Sequence, residues 1–253
     1  MRKIVLTLAV SMLSSGYALA GKNAACPNVS YQQLTDALKA SIAKTGGPSN
    51  GGLDFHMWAT IVSPDGRVCH VTKSGITNND QWLGSRVISA QKANTAVLFS
   101  THAFALSTAN LHASTQSGGS LYGLQFSNPI NLNAAYRGNE HAYGSANDPL
   151  KGSQIGGINV FGGGLPLYDG SGSLIGGIGV SGDTSCADHN IAWRVRNALG
   201  LDKVPAGVSS NNDDNILYDD QNGGNGNGLL DGFEHPDCGN NEKSVNATLP
   251  LSS

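Results

Sequence analysis

Residues able to do chemistry are concentrated in a few stretches of this chain. The stretch 161–195, FGGGLPLYDGSGSLIGGIGVSGDTSCADHNIAWRV, has nine glycines before Asp183, and Gly177, Gly179 and Gly182 spell G-x-G-x-x-G. In a dinucleotide site that spacing ends a strand, opens a helix and lies inside a βαβ unit, so that backbone N–H groups cradle a phosphate. Here the glycines fall within a strand-like run, the helix starts several residues later, and only one helix and a polar tail follow. Asp202, twenty residues past Gly182, is a coincidence of spacing. No G-K-[ST] is present for a phosphate loop, and GVSGD lacks the second glycine of a nucleophile elbow, which excludes Ser181 as that nucleophile. The glycines read instead as close-approach positions, where a strand packs against another backbone or a flat ligand, with 162–164 forming a bend.

The other reactive groups are cysteines, histidines and the acidic tail. Cys26, Cys69, Cys186 and Cys238 include no C-x-x-C pair, so two disulfides are expected rather than a thiolate metal site, with three connectivities open. His56, His70, His102, His112, His141, His189 and His235 offer imidazole donors, with Met57 as a further soft one. The tail segment DDQNGGNGNGLLDGFE has the composition of a calcium loop. Taking Asp219, Asp220 or Asn222 as position one, however, fails to give ligands at three and five together with a glutamate at twelve, so the segment reads as a solvated Gly-Asn linker.

The N-terminus and composition set where these groups operate. MRKIVLTLAVSMLSSGYALA pairs two cations with an apolar run and ends in A-L-A, the layout of a secretory signal peptide cleaved near Ala20, and its apolar run is too short for a permanent anchor. A periplasmic or secreted product is expected. Of the 15 Lys and Arg, removing Arg2 and Lys3 leaves 13 against 18 Asp and Glu, a net charge near −5. Scattered cations on an acidic chain argue against nucleic acid and anionic membranes as partners.

The elements that must position these groups follow from periodicity. Apolar Leu34, Ala37, Leu38 and Ile42 predict a helix after Ser30 that stops at Gly46-Gly47-Pro48. Leu53, Phe55, Met57, Ala59 and Ile61 alternate with polar residues, predicting a strand that turns through Ser63-Pro64-Asp65-Gly66 into a second. A three-residue loop pairing Ser63 with Arg67 would set Cys69 opposite Ile61 and Val71 opposite Ala59, with His56, Trp58 and His70 sharing the other face. The proline-free run from Asp80 predicts a helix to about Thr101, then a shorter helical piece. Residues 113–155 read as a Gly-, Ser- and Asn-rich insertion of functional or surface-wrapping type. Strands are expected over 155–161, 165–168 and 174–181, then a helix over 183–199, with Ser185 accepting from the backbone and Asp188 favoured by the helix dipole. Residues 206–253 read as a polar extension, with Phe233, Pro236 and Cys238 pinning its end to a domain spanning 21–205.

VFGGGLPLYDGSGSLIGGIGVSGDTSCADHNIA resembles the signature of the HbpS/GlcG-like haem-binding and haem-degrading domain family. Gly162, Gly163, Gly164, Pro166, Gly176, Gly177, Gly179, Ser181, Gly182 and Asp188 occupy its G-G-G-x-P-L, I-G-G-I-G-V-S-G and helix-opening positions. The TIVSPDGRVCHV hairpin and the AQKANTAVLF helix, with Lys92, Ala93, Thr95 and Ala96, agree in order and spacing over residues 30–205. The 113–155 insertion, the tail and the cysteines depart from compact members. The resemblance implies an α/β (α+β) class, with a profilin-like three-layer α/β/α fold, a five-stranded antiparallel sheet and homo-oligomeric assembly. As cofactor or ligand it implies haem or a related tetrapyrrole.

Haem requires a flat apolar slot, an axial donor and cations for its propionates. Those requirements point first to His102 as axial ligand beside Phe99 and Phe104, then to the His56 and His70 pair flanking Trp58, with Gly163, Gly164 and Pro166 as the slot and Lys92 and Arg137 for the propionates. A paired, partly buried Lys92 is the structural alternative. Two other functions are compatible with the chain: an enzyme using Lys92, Arg137, His141 and Asp188 on a small non-haem molecule, and a partner-binding module that works through the acidic tail.

Overall fold

The computed structural model describes residues 24–253, and the expected signal peptide at 1–20 lies outside the described residues. Helix α1 (Tyr31–Ala40) starts at a capping box in which the Ser30 hydroxyl accepts from Gln33 N–H and the Gln33 side chain accepts from Ser30 N–H. Strands β1 (Trp58–Val62) and β2 (Val68–Lys73) form the expected hairpin, closed by Ser63 N–H donating to the Arg67 carbonyl with Gly66 at φ +77°. Helix α2 (Ser85–Leu98) follows. The insertion carries two single-turn helices, α3 (His112–Thr115) and α4 (Leu132–Ala135). Strands β3 (Gly164–Tyr168) and β4 (Leu174–Ser181) lead into α5 (Ser185–Ala198), and α6 (Glu242–Asn246) lies in the tail.

The sheet is antiparallel, in the order β2-β1-β4-β3. One face packs on α1 and α5 through Leu34, Leu38, Ala59, Ile61, Ile178, Val180, Ile191 and Val195. The other packs on α2 through Trp58, Val62, Val71, Val87, Ala90, Ala93 and Val97. These are the expected three α/β/α layers, but with four strands instead of five. The 155–161 segment makes one isolated bridge, from Gly156 to Ile130, and α2 side chains bond its backbone: Asn94 Nδ2 donates to the Gly157 carbonyl and Asn159 N–H to Thr95 Oγ1.

Other local expectations are corrected. A bulge between Ile61 and Val62 pairs Ile61 with His70 and Ala59 with Thr72, one residue off the simple hairpin count. His70 therefore shares the α1-facing side with Ile61, while Trp58 is buried on the α2 side and donates to the Trp82 carbonyl, so the His56, Trp58 and His70 face does not form. The cap of α5 is Thr184, whose hydroxyl accepts from Ala187 N–H, rather than Ser185.

The 206–253 segment is integral to the fold rather than a polar extension. Asp214 forms a doubly hydrogen-bonded ion pair with Arg196 of α5 at 2.7 Å, Ile216 and Tyr218 are buried, and Trp193 Nε1 donates to the Pro250 carbonyl. All four cysteines are bonded, Cys26 to Cys69 and Cys186 to Cys238, and the second bond ties the tail to the first turn of α5. The 113–155 insertion wraps the outer side of α2, where Arg86 and Asp148 form a buried ion pair and Ala134, Ala135 and Leu150 join the core. That cover explains why α2 is buried nearly all round.

Candidate functional site

The signature residues converge where α2, β4 and α5 meet. Lys92, fully buried on α2, donates from Nζ to Asp188 Oδ2 at 2.6 Å and to the Val180 carbonyl at 3.2 Å. Asp188, in the first turn of α5, also accepts from Asp183 N–H at 2.9 Å. Phe161 covers the ammonium, which lies 4.7 Å from its ring centroid. Burial pushes the Asp188 carboxyl up to about 6 and pulls Lys92 below the ordinary lysine range, each opposed by the attraction of its partner.

The glycine bend encloses this pair without leaving a slot. A Cβ on Gly163 would lie 2.4 Å from the Val180 carbonyl oxygen and 2.9 Å from Lys92 Nζ, and one on Gly164 would lie 2.5 Å from the Lys92 carbonyl oxygen. The same holds along β4, where Cβ atoms on Gly177 and Gly179 would meet the Ala93 and Ser89 carbonyl oxygens at 2.4 and 1.9 Å. The glycines thus seat α2 directly on the sheet, which is the strand-packing reading of the G-x-G-x-x-G spacing. Pro166 is buried in β3, and its carbonyl accepts from Arg196 Nη1.

The remaining expected residues lie elsewhere. Helix α2 ends at Leu98, so His102 occupies the exposed loop beyond it, and its Nδ1 accepts from Leu174 N–H at 3.1 Å. Leu174 borders a cleft of about 390 Å³, lined also by Ala25, Pro27, Pro64, Ile175 and Leu201. Arg137 and His141 are exposed on the insertion, Arg137 donating from Nε to the Pro149 carbonyl. Lys92 and Asp188 therefore meet each other, while Arg137 and His141 are outside their enclosure.

Reasoning from the sequence missed a group of histidines beside the tail disulfide. His112 and His235 rings lie 5.0 Å apart, His235 Nε2 accepts from Gly162 N–H, and His189 Nε2 is bonded within the Asn215 and Ile216 loop. Burial holds His189 and His235 neutral, each pulled down to about 3. Among the described residues, Cys186, His235 and Cys238 have metal-ligand spacing, but the disulfide removes both thiolates. A histidine spacing of 77 and 46 residues carries no local signal.

The model of the family described as haem-degrading protein HbpS-like matches residues 33–196. No curated protein matches the chain. Among solved structures, the chain is similar to a PduOC–haem complex, with 26% identity, 66% of this chain and 89% of that chain covered, and a TM-score of 0.44. It is similar to ORFY of Klebsiella pneumoniae at 22% identity, covering 72% and 97% of the two chains with a TM-score of 0.45. HbpS itself is 17% identical, with 72% and 98% covered and a TM-score of 0.41.

Proposed function

This chain belongs to the HbpS-like family, and from that premise we propose that it binds haem or a related flat tetrapyrrole. The observation that carries the proposal is the family match over 33–196, which spans the whole sheet together with α2 and most of α5. Lys92, Gly163, Gly164 and Pro166 do not fit as ring contacts, because backbone already fills the space a ring would need. They act as the frame.

The surface that suits a porphyrin is the cleft at Leu174, whose lining is mainly apolar and whose Leu174 N–H donates to His102. His102 is the axial donor in this reading. With Nδ1 accepting from Leu174 N–H, the neutral ring carries its proton on Nε2, so ligation through Nε2 requires that proton to move and the backbone bond to open. Arg137, bound to the Pro149 carbonyl, takes no part here, whereas Lys203 is exposed beside the β3–β4 turn and suits a propionate. Bound haem would supply its iron chemistry; the protein supplies the apolar wall, the imidazole and the cation.

Sequestration, sensing and slow breakdown all share this binding step. Two disulfides fit the exported, periplasmic or secreted setting of the proposal, and no helix among the described residues is long and apolar enough to cross a membrane. A homo-oligomer is part of the same reading and is checked by light scattering. Arg137 and His141 are exposed on the insertion while Lys92 and Asp188 are buried against each other, which favours haem binding over a small-molecule enzyme built on those four residues.

Hemin titration of the mature protein, followed by absorbance, tests the proposal. A saturable Soret shift is expected, with affinity about tenfold weaker in His102→Ala, the loss of roughly 1.4 kcal/mol. Absence of any saturable shift sinks the haem reading. An unchanged titration in His102→Ala sinks the location instead. Bleaching only in air with a reductant would add breakdown to binding.

A further inference from the structure

Residues 219–234 are a folded loop rather than a solvated linker, and the fold supplies the missing frame for their chemistry. Counting Gly223 as position one puts Asn225 at three, Asn227 at five, Gly228 at six, Leu229 at seven, Asp231 at nine and Glu234 at twelve. A calcium loop of the EF-hand type takes oxygen donors from one, three, five, the backbone of seven, nine through water, and a glutamate at twelve, with glycine at six for a sharp turn. Every place but the first is filled, and Gly228 has the required φ of +76°.

The turn at 218–221 returns Asp219 to the vacant first place. Asp219 Oδ2 accepts from Gly228 N–H at 3.1 Å, and the Asp219 carbonyl accepts from Gly226 N–H at 2.7 Å. Gly224 permits this crossing, since a Cβ there would lie 1.8 Å from the Tyr218 carbonyl oxygen. Asn225 Oδ1 accepts from Asn227 N–H and Asn227 Oδ1 from Leu229 N–H, which curls the loop around its own carbonyl-type oxygens.

Two further observations point to a cation. Asp219 Oδ1 is a buried oxygen without a hydrogen-bond partner, on a residue that lines a cavity of about 260 Å³ together with Gly228, Leu229 and Leu230. Glu234 is only 3% exposed, yet its carboxylate is held by the N–H groups of Asn225 and Asp231 alone. Among the described residues no Lys, Arg or His pairs with Asp219, Asp231 or Glu234; the nearby Lys243 is taken by Asp220 and Asp237. Burying a carboxylate without a countercharge is costly, and a bound cation removes the cost. Asp231 accepts from Asn225 Nδ2 at 2.8 Å and from Asn227 Nδ2 at 3.0 Å, which sets it behind those two residues, at the place that reaches an ion through water.

We propose that the 219–234 loop is a calcium site, with Asp219 from the preceding turn standing in for the first ligand and Asn225, Asn227, the Leu229 carbonyl, Asp231 and Glu234 completing it. Six or more oxygen donors suit calcium better than magnesium, which demands a tighter octahedron. The site is separate from the haem cleft, so hemin and calcium titrations stand or fall independently.

The test is calorimetric titration of the chelator-stripped mature protein with calcium chloride, and with magnesium chloride in parallel. One calcium per chain is expected, with Kd no weaker than about 1 mM, the range of extracellular calcium modules. Glu234→Gln and the exposed Asn227→Ala should each weaken binding at least about tenfold, and calcium should raise the Tm of the wild type more than that of either variant. Asn227→Ala keeps the test decisive if Glu234→Gln fails to fold. Absence of saturable calcium binding by the wild type up to about 10 mM overturns the proposal, as does wild-type affinity in a natively folded Asn227→Ala.

Discussion

The buried ionisable residues make stability depend on pH in a way that follows from three groups. His189 and His235 are pulled from an ordinary 6.5 to about 3 in the folded protein, so between those values the unfolded chain holds protons that the folded one lacks. Their contribution is present above about pH 6.5 and is lost as pH falls. Asp188, raised from 3.8 to about 6, acts with the opposite sign, contributing below about pH 4 and losing that contribution as pH rises to 6. Two groups outweigh one: near pH 5, unfolding should take up about one proton net from these residues, and Tm should fall on acidification from about pH 6.5 to 4. Calorimetry over that range checks the sign, and His235→Gln should flatten the slope. A Tm that rises on acidification would show that another group dominates. The sequence marks Lys92 and Asp188 as signature positions and leaves their pairing as one of two readings; only the 2.6 Å contact decides it.

At the scale of elements, the strand β4 and the helix α2 are joined by what is absent from their side chains. Gly177 and Gly179 bring the helix backbone onto the strand, so a methyl group at Gly179 forces the layers apart. Gly179→Ala should cost about 3 kcal/mol, the upper end for overpacking, whereas Gly170→Ala, which meets open space, should be near neutral. Urea unfolding of the two variants compares them directly. A Gly179→Ala protein as stable as the wild type would mean that α2 does not sit on this strand. The close-approach reading was legible because the glycines recur along a strand pattern, whereas the hairpin register was not. A bulge leaves Cys69 of β2 as an extra residue opposite the Ile61–Val62 step, and nothing in the Ser63-Pro64-Asp65-Gly66 turn announces it. His70 consequently lies on the opposite side of the sheet from Trp58.

The molecule as a whole is closed by its last fifth, residues 206–253. Arg196 on α5 and Asp214 in the tail are both fully buried and bonded at both oxygens, so Asp214→Ala leaves a guanidinium buried without its partner. A loss of about 3–5 kcal/mol is expected, measured as a lowered urea midpoint with unchanged slope. A loss below about 1 kcal/mol would instead describe a tail that merely rests on the domain. Local composition pointed the other way, since Gly, Asn and Asp dominate 206–253 and such segments usually stay solvated. The sequence alone determined the family, through short motifs whose resemblance implies the three layers, and, through an even cysteine count with no C-x-x-C pair, the oxidised state of four cysteines; all are local properties. Which cysteines pair, whether the glycine bend is open or filled, and how Asp219 meets a loop starting at Gly223 were decided by tertiary structure. Each depends on segments far apart in the chain, brought together by burial that no local pattern encodes.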